Sequence, residues 1–145
     1  MDAIDPPLTA AEEYAIGAFL RTTAWGIDRQ GQVRSLAFFL GRYADLVAGV
    51  EDGFDYSIYE YEDDLSTRRC LNEILAAVGP ALRTKIEEVV SPLDQRLRVA
   101  SIQAAQPGST QADPAEWWFY RIPKSPGPEL GADLANNGIV PPEPG

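Results

Sequence analysis

Acidic side chains are concentrated in one stretch of the sequence, residues 51–64, which reads EDGFDYSIYEYEDD. The stretch holds seven of the chain's 22 acidic residues, four aromatic rings and no basic residue. On a helix, Glu60 precedes Asp63 by three positions and Asp64 by four, so these carboxylates would share one face. Carboxylates placed in this way can bind Mg²⁺, Mn²⁺ or Ca²⁺, or act as the acid and base of a hydrolase. One hypothesis is therefore a metal-binding hydrolase or regulator that uses Glu60, Asp63 and Asp64.

A simpler interpretation of the same acids is a solvated helix start. Glu62, Asp63 and Asp64 fit the first turn of a helix, where negative charge interacts favourably with the helix dipole. The stretch also lacks the alternating oxygen ligands and the central glycine of a calcium-binding loop. We favour the helix start over the metal site, and we expect no cofactor.

The composition excludes several kinds of catalysis. The chain has no histidine, which removes Ser-His-Asp and Cys-His arrangements together with histidine metal ligands. Its single cysteine, Cys70, allows neither an internal disulfide nor a Cys-rich zinc site. We interpret Cys70 as a small core residue, although the two arginines before it would favour a thiolate. No phosphate-binding glycine loop is present, and we predict that the protein is not an enzyme.

The aromatic rings of the acidic stretch favour a protein-binding surface over a merely solubilising loop. About half of the rings are expected to be buried, which leaves the others exposed among carboxylates. Tyrosine is enriched at binding hot spots, and a local negative field attracts cationic partners. The predicted contact residues are Asp55, Tyr56, Tyr59, Glu60, Asp63 and Asp64.

The leading hypothesis is a small acidic module that binds a basic protein. A concrete version is an immunity protein, an inhibitor that covers the positively charged cleft of a bacterial nuclease-like toxin. Nucleic acid itself is a poor partner, because its phosphates would be repelled where the negative field is strongest. This hypothesis requires that arginines of the same chain leave the acids unpaired and that some rings face solvent. An alternative is a helical adaptor whose partner contacts the sequence WWFY at residues 117–120.

Four amphipathic helices are expected to position the acidic stretch. Thr9 and Glu12 have the spacing of a capping box, which begins the first helix. Apolar residues at helical spacing predict a second helix over about 32–48 and a third over about 61–78. Gly79 and Pro80 then end the third helix and begin the fourth.

The C-terminal third predicts a small β element. Alternation after Gln95 and the β-prone run at 117–122 predict an antiparallel pair of strands within 96–122, unless the fourth helix continues to about Ala105. Arg96, Arg98 and Arg121 would then line one face of that pair as solvated charge. A short helix is expected to end at Gly138.

The expected fold is mainly α, with a four-helix core, a two-stranded antiparallel β element (α+β) and a proline-rich tail. Residues 1–138 are predicted to form one domain, and residues 139–145 are predicted to be disordered. No run approaches the roughly 20 apolar residues that span a bilayer, and the first residues do not resemble a signal peptide. We therefore expect a cytoplasmic protein with no membrane contact.

Overall fold

A computed structural model of the chain describes residues 6–104 and 112–139. Within these ranges the chain forms five α-helices, one short 3-10 helix and two short strands. The elements are α1 Ala10–Leu20, α2 Leu36–Glu51, α3 Ile58–Ala77, α4 Pro80–Ala100, β1 Ser101–Gln103, the 3-10 helix Trp117–Tyr120, β2 Arg121–Pro123 and α5 Pro128–Asn136. The prediction of a mainly α fold with a small antiparallel β element is confirmed.

Side-chain caps set the starts of the first three helices. At α1 the predicted capping box is present, since the Glu12 N–H donates to Thr9 Oγ1 (3.1 Å) and the Thr9 N–H donates to Glu12 Oε1 (2.9 Å). Ser35 and Ser57 cap α2 and α3 in the same way, each accepting from the N–H three residues ahead. These bonds satisfy backbone donors that have no partner inside the helix.

Helix α3 begins three residues earlier than predicted, at Ile58. The acidic residue in its first turn is therefore Glu60, and the expectation that Glu62, Asp63 and Asp64 occupy that turn is wrong. The early start moves the second half of the acidic stretch onto the body of the helix. The helix dipole therefore favours Glu60 rather than the three later acids.

Helix α4 continues to Ala100, so the predicted strand over residues 96–100 is wrong. Leu93 and Leu97 are both buried and lie four residues apart. This is the spacing of one helix face, so the apolar face of α4 continues although the residues between them are polar. Pro92 lies inside the helix and does not interrupt it. The strand pair is correspondingly short.

The two strands pair antiparallel, with Ile102 opposite Ile122. The sequence WWFY precedes the second strand as a 3-10 helix, so the strand predicted over 117–120 is also wrong. Trp118 and Phe119 are consecutive and both buried. A strand cannot bury two consecutive side chains against one core, because its side chains alternate between faces.

The core is shared by every helix. Helix α2 packs against both α3 and α4. Strand β2 also contacts α2, and helix α5 contacts α3. Each of the five helices contributes at least one fully buried residue, for example Leu20, Leu40, Leu71, Ile86 and Leu134 in chain order. Ile139 is also buried, so the folded part extends one residue beyond the predicted boundary at 138. The rest of the predicted disordered tail, residues 140–145, lies outside the described residues.

Among the helices of residues 6–104 and 112–139, none combines the length and the apolar composition that crossing a bilayer requires.

Candidate partner-binding surface

A tight chain reversal between α2 and α3 divides the aromatic rings of residues 51–64 between core and solvent. Gly53 and Phe54 both have left-handed backbones, with φ of 99° and 52°. The Phe54 N–H donates to the Gly49 carbonyl (2.7 Å), which closes the reversal. The Phe54 ring consequently points inward and packs edge-to-face on Tyr61, with 5.0 Å between ring centroids.

Two of the four rings are buried and two are exposed. Tyr61 is completely buried, and its hydroxyl donates to the Arg121 carbonyl (2.7 Å). Tyr56 and Tyr59 keep 59% and 76% of their surface exposed. The expectation that half of the rings are buried is confirmed, and the solvent-facing rings are the two that were predicted to make contacts.

Arginines of the same chain pair with Glu51, Asp63 and Asp64 of the acidic stretch. Arg42 of α2 lies 3.1 Å from Asp64 Oδ1 and 3.4 Å from Asp63 Oδ2. Arg96 of α4 forms a two-bond pair with Glu51 (2.6 and 3.0 Å). Partial burial raises the pKa of Asp64, and the hydrogen bond from Arg42 acts in the opposite direction. The C-terminal end of the acidic stretch is therefore partly neutralised.

The middle of the stretch, residues 52–60, lies between these paired acids. Within the described ranges, no lysine or arginine forms an ion pair with Asp52, Asp55 or Glu60. All three residues are exposed. Glu60 accepts a hydrogen bond from the Ser57 hydroxyl (3.2 Å), which is a neutral donor. Free carboxylates and exposed tyrosines thus occur together over residues 52–60.

Helix α5 adds acidic residues to this region. The Glu129 N–H donates to Asp55 Oδ1 (3.2 Å), and the Ile58 N–H donates to Asp133 Oδ2 (2.9 Å). The exposed side chain of Glu129 is thereby held beside the acidic stretch although it is 74 residues distant from Asp55. Sequence reasoning missed both residues of α5, since no local pattern indicates where this helix docks.

Asp55 also has a structural role that was not predicted. Its carboxylate accepts a hydrogen bond from the start of α5. Its Cβ also leaves no room for a side chain at Gly127, because a Cβ built on that glycine would lie 2.7 Å from it. Asp55 is thus a structural acceptor as well as an exposed charge. Substitution of Asp55 would disturb α5 along with any contact surface.

The alternative metal site receives no support from the geometry. The Arg42 guanidinium contacts both Asp63 and Asp64, where a cation would have to bind. Across the part of the chain that the structure describes, no group of three or more Cys, Asp or Glu side chains is arranged to hold a metal ion. Carboxylates held by a guanidinium are not a preformed metal site.

The remaining sequence candidates are largely structural. Trp118 and Phe119 are buried, so only Trp117 and Tyr120 of the WWFY sequence contribute to the surface. Burial, and secondarily the charge of Glu73, raises the pKa of Cys70 to about 11. The thiol therefore stays protonated near neutral pH, as expected of a core cysteine.

Comparison of the chain with known protein families, curated proteins and solved structures finds no match.

Proposed function

We propose that this protein is a binding module that docks a basic protein through its tyrosine face, defined as Asp52, Tyr56, Tyr59, Glu60 and Glu129. The observation that carries the proposal is the exposure of Tyr56 (59%) and Tyr59 (76%) among carboxylates that have no cationic partner in the described chain. The surface is smaller than the one expected from sequence. Asp63 and Asp64 are left out because Arg42 pairs with them.

Two physical arguments favour a basic partner. Exposed tyrosines supply a large apolar area with few rotatable bonds, and they are common hot spots. The surrounding charge is negative in a chain whose net charge is −10, so the field of the whole molecule reinforces the local one. Such a field accelerates association with a cation and opposes association with nucleic acid.

Exchange of charge on the tyrosine face tests the electrostatic part of the proposal. In the double variant Asp52→Lys/Glu60→Gln, the lysine lies at the C-cap of α2, where positive charge is favourable, and glutamine can keep the capping role of Glu60. Proteins captured from cell lysate by the wild-type chain are identified, and association of the purified partner is followed over a range of salt concentrations. We expect the variant to associate at least about tenfold more slowly and to depend less on salt.

The double variant Glu87→Gln/Glu88→Lys is the control. It changes the net charge by the same amount, and its exposed sites lie on α4, where Glu87 borders a cleft with Asn72 and Arg83. Equal slowing in both double variants would reduce the effect to net charge and contradict a specific face. A captured partner that is not basic would also contradict the proposal.

The tyrosines are tested with residues of equal exposure. Tyr59→Ser removes a ring that is 76% exposed, and Tyr14→Ser removes one that is 74% exposed on α1. We expect Tyr59→Ser to weaken binding about 10- to 100-fold through faster dissociation, and Tyr14→Ser to leave binding unchanged. Equal effects of the two substitutions would show that the tyrosine face is not the contact.

A concrete form of this function is inhibition of a nuclease-like toxin. The cleft of such an enzyme is basic because it binds phosphates, and an acidic tyrosine-bearing surface can cover it. We expect the captured partner to cleave nucleic acid alone and to lose that activity with one equivalent of this protein. Binding without inhibition would support the docking function and contradict the inhibitor function.

A further inference from the structure

A cationic cleft of about 370 Å³ lies where the end of α4 meets the 3-10 helix and the two strands. Its lining residues are Arg98, Gln103, Pro114, Trp117, Tyr120 and Arg121. Small-molecule sites typically begin at about 300 Å³ and combine apolar walls with a few polar groups. The cleft meets both criteria, and none of its residues belongs to the tyrosine face.

Arg121 is held rigidly at the base of the cleft. Its Nε donates to Ser101 Oγ (2.7 Å), and its Nη2 donates to the carbonyls of Ser101 (2.7 Å) and Arg98 (3.1 Å). Its own carbonyl accepts from the buried Tyr61 hydroxyl. The described chain provides no hydrogen-bond acceptor for Nη1, so the N–H groups of this one nitrogen are available to a ligand. A guanidinium fixed in this way loses little further entropy on binding.

Arg98 supplies a second guanidinium that is free to donate. Its Cζ lies 3.9 Å from the centroid of the Trp117 ring, which orients the group by cation–π attraction. In the described ranges it forms no ion pair. The described chain likewise gives its guanidinium no hydrogen-bond acceptor, so these N–H groups remain available.

Among the described residues that line the cleft, Arg98 and Arg121 carry positive charge and none is acidic. Burial, and secondarily the charge of Arg98, lowers the pKa of Arg121. Like charges brought together in this way are stabilised by an anion that accepts from both.

We propose that this cleft binds a small organic phosphate monoester, with the phosphate between Arg98 and Arg121 and the organic group against Trp117. A phosphate has enough terminal oxygens to accept from Arg121 Nη1 and from the Arg98 fork together, whereas the Arg98 fork alone already satisfies a carboxylate. The ring of Trp117 and the Pro114 and Tyr120 side chains form the wall for the organic group. Gln103 adds an amide donor and acceptor at the rim.

Nuclear magnetic resonance titration of the full chain with phenyl phosphate tests the proposal. The indole N–H signal of Trp117 and the Nε–H signals of Arg98 and Arg121 report on the cleft, and the indole signal of Trp25 serves as an internal reference. With ionic strength held constant, we expect saturable shifts at the cleft with a Kd of about 1 mM or below. Inorganic phosphate should bind several-fold more weakly, and phenol should not bind.

Two variants separate specific binding from general attraction. Arg98→Gln removes an exposed guanidinium that has no hydrogen bond to lose, so the fold should persist. Arg34→Gln is the control, since Arg34 is likewise unpaired in the described chain and lies 4.3 Å above the Phe38 ring. We expect Arg98→Gln to weaken phenyl phosphate at least about tenfold and Arg34→Gln to change it less than twofold.

Three results would overturn the proposal. The first is the absence of saturation at the cleft below about 10 mM phenyl phosphate. The second is an equal loss of affinity in Arg98→Gln and Arg34→Gln. The third is benzoate binding as tightly as phenyl phosphate, because the site would then recognise a carboxylate and not a phosphate.

Discussion

Asp55, which precedes α3, accepts a hydrogen bond from the start of α5, and Asp133 of α5 accepts one from the start of α3. Asp55 Oδ1 accepts from the Glu129 N–H in α5, and Asp133 Oδ2 accepts from the Ile58 N–H in α3. The N-cap of α5 is Gly127, which has no side chain, so Asp55 supplies the missing acceptor. The acidic stretch and the C-terminal helix thus depend on each other for their first turns.

Substitution of Asp133 by alanine should destabilise the protein by about 1–2 kcal/mol, since the Ile58 N–H loses its acceptor. The free energy of unfolding from urea titration measures this loss. Amide exchange at Leu130 and Leu134 should also accelerate, because α5 loses a contact that holds it in place. Asp45→Ala, at an exposed site on α2, should change stability by less than about 0.5 kcal/mol. An equal effect at both sites would contradict the capping role.

The second prediction concerns the buried pair of Arg68 and Asp94. Arg68 is 7% exposed and donates twice to the Asp94 carboxylate (2.8 and 2.9 Å), which also accepts from the Tyr43 hydroxyl. Burial opposes the charge of Arg68, but Asp94 outweighs this and raises the pKa of the guanidinium. Asp94→Leu should cost about 3–5 kcal/mol, because it leaves a buried charge unpaired.

The exposed pair of Arg96 and Glu51 provides the comparison, since it has the same two-bond geometry. Glu51→Gln should cost less than about 1 kcal/mol, because exposed pairs contribute little. The double variant Arg68→Met/Asp94→Leu should recover most of the loss caused by Asp94→Leu. Equal losses at the buried and exposed pairs would refute the argument from burial.

The third prediction is a loss of stability at alkaline pH. Burial raises the pKa of Tyr43 and of Tyr61 above the ordinary value of 10.0. The neutral phenols are therefore stabilised by folding, so their contribution is complete below pH 10 and is lost as pH rises above it. Between about pH 9 and pH 11 we expect a loss of about 3 kcal/mol, which Tyr61→Phe should reduce by about half.

Guanidinium denaturation at several pH values measures this slope. Tyr14→Phe is the control, because it removes an exposed phenol hydroxyl and leaves the two buried ones in place. If Tyr61→Phe leaves the dependence of the unfolding free energy on pH unchanged, the alkaline loss comes from other groups.

The fourth prediction compares two glycines at the same helix position. Gly127 and Gly79 are both N-caps followed by proline, at α5 and α4. A Cβ on Gly127 would lie 2.7 Å from the Asp55 Cβ and 2.8 Å from its Cα, whereas a Cβ on Gly79 meets nothing within 4 Å. Gly127→Ala should destabilise by about 2 kcal/mol or more and Gly79→Ala by less than about 1 kcal/mol, measured by thermal unfolding. A smaller loss at Gly127 would indicate that α5 shifts without cost.

Most of the helical core could be predicted from local periodicity. The buried stripe of α2 has the spacing expected of an amphipathic helix, and Leu36, Leu40, Tyr43 and Val47 are all buried. The start of α3 was missed although its signal was present, since Ser57 precedes Glu60 by three residues as in a capping box. Alternating arginine and leucine near the end of α4 misled the strand prediction, because four-residue spacing of leucines fits a helix as well.

The candidate surface was only partly predictable. The exposure of Tyr56 and Tyr59 follows from residue type and from the limited room that a core offers four neighbouring rings. The pairing of Arg42 with Asp64 depends on how α2 packs against α3, and local pattern does not contain that information. The positions of Glu129 and Asp133 depend in the same way on the docking of α5.

The long span between Ile58 and its acceptor has a consequence for synthesis of the chain. The Ile58 N–H donates to a carboxylate 75 residues later. A ribosome adds about 5–20 residues per second, so Asp133 emerges about 4–15 seconds after Ile58. During that interval the nascent α3 lacks this bond at its first turn. Completion of the first turn of α3 therefore comes late in synthesis, well after the rest of the helix has been made.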